Sequence, residues 1–190
     1  MTRPTIPSLP APGGTAGALI ARLGMQRIPV EGCWFAATWG SSLEIPAASL
    51  PARYGGPRRA GSAILALVTR ADFSAMHRLA TDEIWHFHAG DPIEMLLLHP
   101  DGRERLLVLG PDVLADQHPQ VTVPAATWMG ARPLRHAPDA YSLFGTTMAP
   151  GFDDRDFEPG YRDLLQAAHP AVADLIAELT RDAMARRPAP

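Results

Sequence analysis

The densest cluster of ionisable and aromatic side chains in this sequence lies within residues 74–90. Alternate residues of a β-strand share a face, so a strand over residues 83–88 places Glu83, Trp85 and Phe87 on the same side. That arrangement predicts a pocket in which one carboxyl group stands among aromatic walls. Burial favours the neutral form of such a group, which suits it to act as a general acid or base.

Simpler roles exist for the same residues, and the sequence leaves them open. His77 could be a hydrogen-bonded histidine at a strand end, and Glu83 could form a structural salt bridge with Arg78. His86 and His88 have the spacing of a metal-binding pair. They fall on the opposite face of the predicted strand, and a structural metal site normally needs about four ligands.

The elements that must position this cluster are predicted to be short strands separated by turns. Pro100, Asp101 and Gly102 give a hairpin signal between two of these strands. The strand-like segments cover residues 62–68, 83–88, 93–99, 105–109, 120–123, 127–131 and 141–148. Strands at such regular spacing indicate a β-sandwich or a barrel.

Helical patterns flank the predicted strands on both sides. Residues 15–23 carry apolar side chains at helical spacing, and Gly24 supplies the end signal. Residues 161–168 and 172–185 form two further predicted helices, whose apolar face would pack against the outside of the barrel or a partner subunit. We therefore expect a disordered, Pro/Gly-rich arm over residues 1–14, one domain over residues 15–158 and a helical extension over residues 159–190.

Composition argues against several classes of protein. The net charge is -3, and the absence of a basic block makes nucleic acid a poor partner. Cys33 is the one cysteine, so no internal disulfide can form, and we interpret its side chain as a small buried hydrophobe. No apolar run approaches the roughly 20 residues that cross a bilayer, and no signal-peptide pattern is present. We expect a soluble, cytoplasmic protein with no membrane partner.

The cluster around His77 resembles the first signature motif of the cupin superfamily. His77, Glu83 and Gly90 stand where that motif has its first histidine, its glutamate and its closing glycine. Ala71 replaces the opening glycine of the motif, and Leu79 replaces its second histidine. The match therefore retains two of the polar positions and loses one.

The second cupin motif is degraded in this chain. Pro124 matches its proline, while Ala126 and Met129 replace its glycine and its histidine. A thioether is a poor ligand for the hard or borderline divalent metals that cupins use, so His77 and Glu83 are the candidate metal ligands that remain. The resemblance thus implies either no cofactor or a weakly bound divalent metal.

The longer pattern is similar to one cupin subfamily, Cupin_5, formerly described as a domain of unknown function (DUF985). Its pieces, in chain order, are Glu31-Gly32 before Trp34 and Phe35, residues 73–78, 82–87, 90–92, 123–128 and 149–153, and a closing helix to residue 180. The resemblance implies a mainly β fold, the cupin double-stranded β-helix or jelly-roll barrel, with an N-terminal helix and C-terminal helices. It also implies a homodimer and an internal pocket for a small molecule.

These observations favour an isomerase, epimerase or dehydratase that acts on a small carbonyl or sugar-like compound. His77 and Glu83 are the predicted catalytic residues, because removal of a proton next to a carbonyl needs a nearby base. Arg78 or Tyr141 would supply the donor that holds the developing oxyanion. The residues expected to contact the ligand are Arg78, Trp85, Phe87, Trp128, Met129 and Tyr141.

Two other functions stay open at this point. The subfamily typically has an arginine and a glutamate where this chain has Ala36 and Ala37, and this loss of charge favours a binding or sensor domain without turnover. A metal-dependent oxygenase or lyase would need a further ligand, such as Asp82 or His86, beside His77 and Glu83. Fold alone does not choose among these functions.

Overall fold

The computed structural model describes residues 11–187, so most of the arm predicted over residues 1–14 lies outside the described range. Within this range, three α-helices span Gly14–Leu23 (α1), Arg162–Ala168 (α2) and Ala173–Glu178 (α3). The strands of the described residues, β1 to β13 in chain order, span Gln26–Arg27, Trp34–Gly40, Glu44–Ile45, Arg58–Arg59, Ser62–Thr69, Ser74–Arg78, Glu83–Gly90, Ile93–Leu98, Glu104–Leu109, Gln120–Val123, Trp128–Pro133, Tyr141–Met148 and Glu158–Pro159.

Two antiparallel sheets face each other and form a β-sandwich. The first sheet has six strands in the order β1-β2-β5-β12-β7-β10, and the second has five in the order β13-β6-β11-β8-β9. A small separate sheet pairs β3 with β4. Inward-facing residues of both large sheets form one apolar core, as expected for antiparallel sheets packed face to face. The predicted mainly β fold is confirmed as this sandwich.

The centre of the core contains a stacked aromatic pair from neighbouring strands. The rings of Trp85 on β7 and Phe144 on β12 are nearly parallel, at 4° and 4.4 Å between centroids. Each is almost fully buried, and burial of one such side chain stabilises the fold by roughly 1.5–3 kcal/mol. The pair therefore gives the interior a rigid aromatic surface.

The helices cover the outer faces of the sandwich. Helix α1 packs on the first sheet through Ala16 and Ile20, and the C-terminal helices pack on the second through Leu165 and Ile176. The predicted packing of the C-terminal apolar face on the outside of the strands is therefore confirmed. None of the helices in residues 11–187 combines the length and apolar character needed to span a membrane.

Helix α3 is shorter than the sequence pattern predicts. It ends at Glu178, whereas the predicted helix continues to residue 185. The hydroxyl group of Thr180 donates to the carbonyl of Ile176, so the side chain takes an acceptor of the last turn. Arg181 then turns towards residues 28–33 and donates to the carbonyl of Glu31. The C-terminal segment thus ties the loop before β2 to the body of the protein.

Candidate functional site

A cavity of about 540 Å³ lies between the two sheets. Its walls come mainly from β2, β5, β7 and β12 of the first sheet and from β6 of the second, with residues 28–33 and 152–157 closing its sides. Most of these side chains are apolar or aromatic. The volume falls in the range of ~300–1,000 Å³ that is usual for pockets that bind small molecules.

The imidazole of His77 and the carboxyl group of Glu83 both line this cavity. His77 lies on β6 of the second sheet, and Glu83 lies on β7 of the first. Residues 79–82 cross from one sheet to the other, so the two groups reach the same cavity from opposite sheets although they are close in sequence. Both residues are buried, with 3% and 7% of their surface exposed. An acid–base pair is therefore held inside the sandwich.

His77 has a defined orientation and tautomer. Its Nδ1 atom lies 2.8 Å from the carbonyl oxygen of Ala75, and a carbonyl can only accept a hydrogen bond. Nδ1 must therefore carry a hydrogen, which leaves Nε2 as the nitrogen that can exchange a proton. The ring also stacks on Phe157, with 5.3 Å between ring centroids, so its plane is fixed by packing.

The carboxyl group of Glu83 is buried but hydrogen-bonded. Oε2 accepts from the indole Nε1 of Trp85 at 2.8 Å, and the hydroxyl of Thr146 also bonds the group. Burial raises the pKa of this carboxyl above its ordinary value of 4.5. The charge of His77 opposes that increase, and the charge of Glu31 adds to it. A carboxyl group with a raised pKa can take up and release protons closer to neutral pH.

Glu31 is a second buried carboxylate at the cavity wall, with 8% of its surface exposed. Its Oε1 accepts from the hydroxyl of Ser74 at 2.6 Å and from the thiol of Cys33 at 3.1 Å. In the sequence, Glu31 belongs only to the family pattern and has no predicted role. The one signal that points to Glu31 is a carboxylate directly before a glycine. This signal is weak, because the segment around it shows no strand or helix periodicity.

The loop that carries Glu31 has an unusual backbone. Val30 has a φ of 73° and Gly32 has a φ of 95°, so left-handed conformations flank the glutamate on both sides. A β-branched residue such as valine rarely adopts a positive φ, and strain of this kind concentrates at functional sites. The guanidinium of Arg181 holds the loop through the carbonyl of Glu31. The conformation that directs Glu31 inward is therefore maintained by packing from outside.

Cys33 lines the cavity as a hydrogen-bond donor. Burial raises the pKa of its thiol well above the usual range, and the carboxylates of Glu31 and Glu83 add to that effect. A thiolate is the nucleophilic form of cysteine, so this environment opposes nucleophilic chemistry. The thiol instead donates a hydrogen bond to the buried carboxylate of Glu31.

One end of the cavity is lined by exposed residues, which mark its mouth. Trp39 and Phe152 are 55% and 45% exposed there. Arg59 and Asp154 also line this end, and both are exposed. Glu31, His77 and Glu83 are buried at the other end, so polar chemistry is concentrated at the bottom of the cavity.

Of the residues expected to contact a ligand, only Trp85 lines the cavity. Arg78 forms an ion pair with Glu158 at 2.8 Å on the outer side of β6. Its guanidinium also lies over the ring of Trp128, 4.5 Å from the centroid. Trp128 packs with the cluster beneath the C-terminal helices. The alternative salt bridge between Arg78 and Glu83 is therefore not formed.

The other three expected contact residues also lie away from the cavity. Met129 is buried in the apolar core directly opposite His77 in the strand register, and Phe87 packs against the same core, but neither side chain lines the cavity. Tyr141 faces the layer between the first sheet and α1. Strand alternation identifies which residues share a face, but it does not say which part of that face is hollow.

The residues at the cupin ligand positions do not fit a divalent metal. Leu79 offers no donor atom, and Met129 offers only a soft thioether. His86 points away from the cavity and contacts Thr147 at 2.9 Å. Within residues 11–187, no group of three or more His, Cys, Asp and Glu side chains is arranged to hold a metal ion. Neither the predicted weak metal site nor the metal-dependent alternative gains support from these side chains.

A sandwich of two antiparallel sheets around a cavity, with His77 and Glu83 of the first cupin motif lining that cavity, is typical of the cupin class. The sequence matches the family described as Cupin_5, Cupin superfamily (DUF985), over residues 17–159, and the chain belongs to this family. The predicted resemblance is thereby confirmed. No curated protein matches the chain.

Several solved structures are similar to this chain. A protein of Shewanella oneidensis is 28% identical with a TM-score of 0.77, and the match covers 89% of this chain and 99% of the other. A protein of Leishmania major is also 28% identical with a TM-score of 0.77, over 89% of this chain and 100% of its own. An oxalate decarboxylase from Bacillus subtilis is 11% identical with a TM-score of 0.45, over 80% and 36% of the two chains.

Proposed function

We propose that the protein is an enzyme of the isomerase, epimerase or dehydratase type that moves a proton on a small carbonyl compound. The observation that carries this proposal is the pair His77 and Glu83, which line one buried cavity from opposite sheets. A carboxyl group with a raised pKa, together with a histidine inside a pocket of this size, is typical of catalytic sites.

The proposed reaction divides the proton transfers between the two groups. The Glu83 carboxylate takes a proton from the carbon next to the carbonyl, and the electrons of the broken C–H bond form a C=C bond. The carbonyl π electrons move to oxygen, which receives a proton from Nε2 of a protonated His77. For an epimerisation, Glu83 returns the proton to the opposite face of that carbon after the enol has turned over in the cavity, and the oxygen's proton returns to His77. For an isomerisation of a hydroxycarbonyl compound, Glu83 instead protonates the former carbonyl carbon, and His77 takes the proton of the neighbouring hydroxyl group.

The walls of the cavity favour an apolar or ring-containing substrate body. Trp85 and Phe144 present a stacked aromatic surface beside Glu83, and Ile64 extends it along β5. Such surfaces bind the faces of rings and alkyl groups through apolar contact. Among small carbonyl compounds, the lining therefore favours those with an apolar side over highly hydroxylated sugars.

Deuterium exchange tests the proposed chemistry without knowledge of the natural substrate. Carbonyl compounds with an aromatic or alkyl body would be incubated with the protein in heavy water and followed by NMR. We expect exchange at the carbon next to the carbonyl, with losses of about 100-fold or more in His77→Gln and Glu83→Gln. Glu44→Gln, at an exposed site outside the cavity, is the matched control. Undiminished exchange in both cavity variants would contradict the proposal.

A binding protein without turnover is the second candidate. Ala37 lines the cavity where the subfamily typically has a glutamate, so one charged group is missing from the wall. Ligand affinity that survives Glu83→Gln, together with no exchange by the wild-type protein, would favour this function. The homodimer and the cytoplasmic location stay predictions from the sequence.

A further inference from the structure

The buried end of the cavity contains more acidic than basic side chains. Glu31 and Glu83 are the carboxyl groups there, and His77 is the basic group among the described lining residues at that end. Arg59 also lines the cavity, but it lies at the exposed mouth with Asp154. One positive charge on His77 cannot balance two ionised carboxylates, and an uncompensated buried charge is costly.

Glu31 has an oxygen that is available to a ligand. Both donors to this carboxylate, the hydroxyl of Ser74 and the thiol of Cys33, bond to Oε1 and are uncharged. Oε2 accepts no hydrogen bond from the residues that the structure describes. A carboxylate that is 8% exposed and lines a cavity in this way can bind a donor placed inside it.

Arg181, which bonds the backbone of the Glu31 loop, does not neutralise the Glu31 carboxylate directly. Arg181 donates to the backbone carbonyls of Glu31, Ala71 and Phe73, and its guanidinium lies over the Phe73 ring at 4.2 Å from the centroid. Its charge acts on Glu31 through space but makes no ion pair with the carboxylate. The inward side of Glu31 therefore faces the cavity with its negative charge.

The apolar walls also favour a positive charge over a negative one. Phe35, Trp85 and Phe157 line the cavity, and the ring faces that are not stacked on Phe144 or His77 can attract a cation. An anionic group at the buried end would meet two carboxylates, and His77 is the one basic group among the described residues that line that end. Phosphate and carboxylate ligands are therefore disfavoured at this end.

We propose that the ligand carries a protonated amine next to an apolar body, and that Glu31 is the residue that binds the ammonium group. This assignment rests on the proposed function, which gives His77 and Glu83 their roles at the reacting end of the cavity. It gives the two glutamates different tasks: Glu83 exchanges a proton, and Glu31 selects the charge of the substrate.

Calorimetric titration with three matched compounds tests this charge preference. Phenylpropylamine, phenylpropanol and phenylbutyrate share the aromatic body and carry a cationic, a neutral and an anionic end. We expect the amine to bind at least about tenfold more tightly than the alcohol, and the acid to bind most weakly. Equal or tighter binding of phenylbutyrate would overturn the inference. This comparison uses the wild-type protein, so it does not depend on the folding of any variant.

The Glu31→Gln variant identifies the residue responsible. Its amide keeps an acceptor for Ser74 and Cys33 but removes the charge, so the preference for amine over alcohol should fall about tenfold. Glu44→Gln should leave the preference unchanged, and thermal unfolding verifies that both variants fold. An unaltered preference in a folded Glu31→Gln protein would refute the role of Glu31.

The two proposals can fail separately, because none of the three compounds contains the aldehyde or ketone carbonyl that the proposed reaction needs. Amine preference without any deuterium exchange would overturn the catalytic proposal and support an amine-binding protein. Exchange on carbonyl compounds without a preference for the amine would overturn the role of Glu31 and leave the catalytic proposal standing. Failure of all three compounds to bind would overturn this inference, whatever the exchange experiment gives.

Discussion

The protonation of Glu83 couples the candidate site to the stability of the fold. Burial is the largest cause of the raised pKa of this carboxyl group, while His77 and the hydrogen bonds from Thr146 and Trp85 oppose it. A group buried in this way destabilises the protein whenever it is ionised. Active sites commonly retain such groups because the chemistry requires them.

Glu83→Gln should therefore gain stability relative to the wild type as the pH rises. A carboxyl group whose pKa is raised by folding binds more protons in the folded state than in the unfolded state. The stabilising effect of this proton uptake is fully present below about pH 4.5, the pKa of Glu83 in the unfolded state. It is lost as the pH rises through the higher pKa that Glu83 has in the folded state. Urea unfolding of both proteins at about pH 4 and about pH 8 measures this difference.

Glu44→Gln is the control for the Glu83 experiment, because Glu44 is exposed. It should show no such divergence between the two pH values. A free-energy difference between wild type and Glu83→Gln that does not change with pH would mean that the pKa of Glu83 is not raised by folding.

The sequence predicts part of the candidate site and misses part of it, for a physical reason. Glu83 and Trp85 share a face because side chains alternate along a strand, and that rule is local. Glu31 lies in a loop whose direction depends on positive φ angles and on Arg181, which is distant in sequence. Tyr141 illustrates the opposite error, since its strand is predicted well but its side chain faces α1.

At the scale of elements, the loop before β2 decides where Glu31 points. Gly32 has a φ of 95°, and a Cβ atom at this position would meet the guanidinium of Arg181. That guanidinium cannot move freely, because it bonds three backbone carbonyls and stacks on Phe73. The loop therefore has both a conformational and a steric requirement for glycine.

Gly32→Ala should destabilise the protein more than Gly102→Ala. Gly102 has a similar φ of 86° in the turn after β8, but a Cβ there would meet open space. Backbone strain of this kind costs roughly 1–3 kcal/mol and applies to both variants. In Gly32→Ala, the new Cβ atom also displaces Arg181. The loss of hydrogen bonds from this charged group should increase the destabilisation by about 1 kcal/mol or more. Chemical unfolding of the two variants provides the comparison, and equal losses would exclude a steric role for Arg181.

Individual elements differ in how well the sequence predicts them. Strands β10 and β12 match the predicted residues 120–123 and 141–148. In these segments the polar and apolar residues alternate, or the segment ends at a clear turn. Strand β6, which carries His77, has no predicted counterpart. Four of its five residues are buried, since one side faces the core and the other faces the C-terminal helices, so no alternation is visible.

At the scale of the whole molecule, one buried ion pair joins two segments that are distant in sequence. Arg58 lies on β4, in the excursion between β2 and β5, and Asp156 lies in the segment 152–157 at the cavity. The guanidinium donates to Oδ1 of Asp156 at 2.7 Å and to Oδ2 at 3.3 Å, and also to backbone carbonyls of its own segment. Both side chains are 1% exposed.

The Arg58–Asp156 pair also supports the geometry of the acid–base group. Phe157 follows Asp156 directly and stacks on the imidazole of His77. Displacement of Asp156 would therefore release one face of that ring. A structural link outside the cavity thus controls the position of a proposed catalytic residue inside it.

A double-mutant cycle on Arg58 and Asp156 tests this link. Arg58→Met or Asp156→Leu alone leaves one buried charge without its partner, so each should cost about 3–5 kcal/mol of unfolding free energy. The double variant should lose clearly less than the sum, because it leaves no unpaired charge. Arg155→Ala, which breaks a neighbouring exposed pair with Asp153, should change stability far less. Additive losses in the cycle would show that the two side chains do not act as a pair, and the proposed support of His77 through Phe157 would then lose its basis.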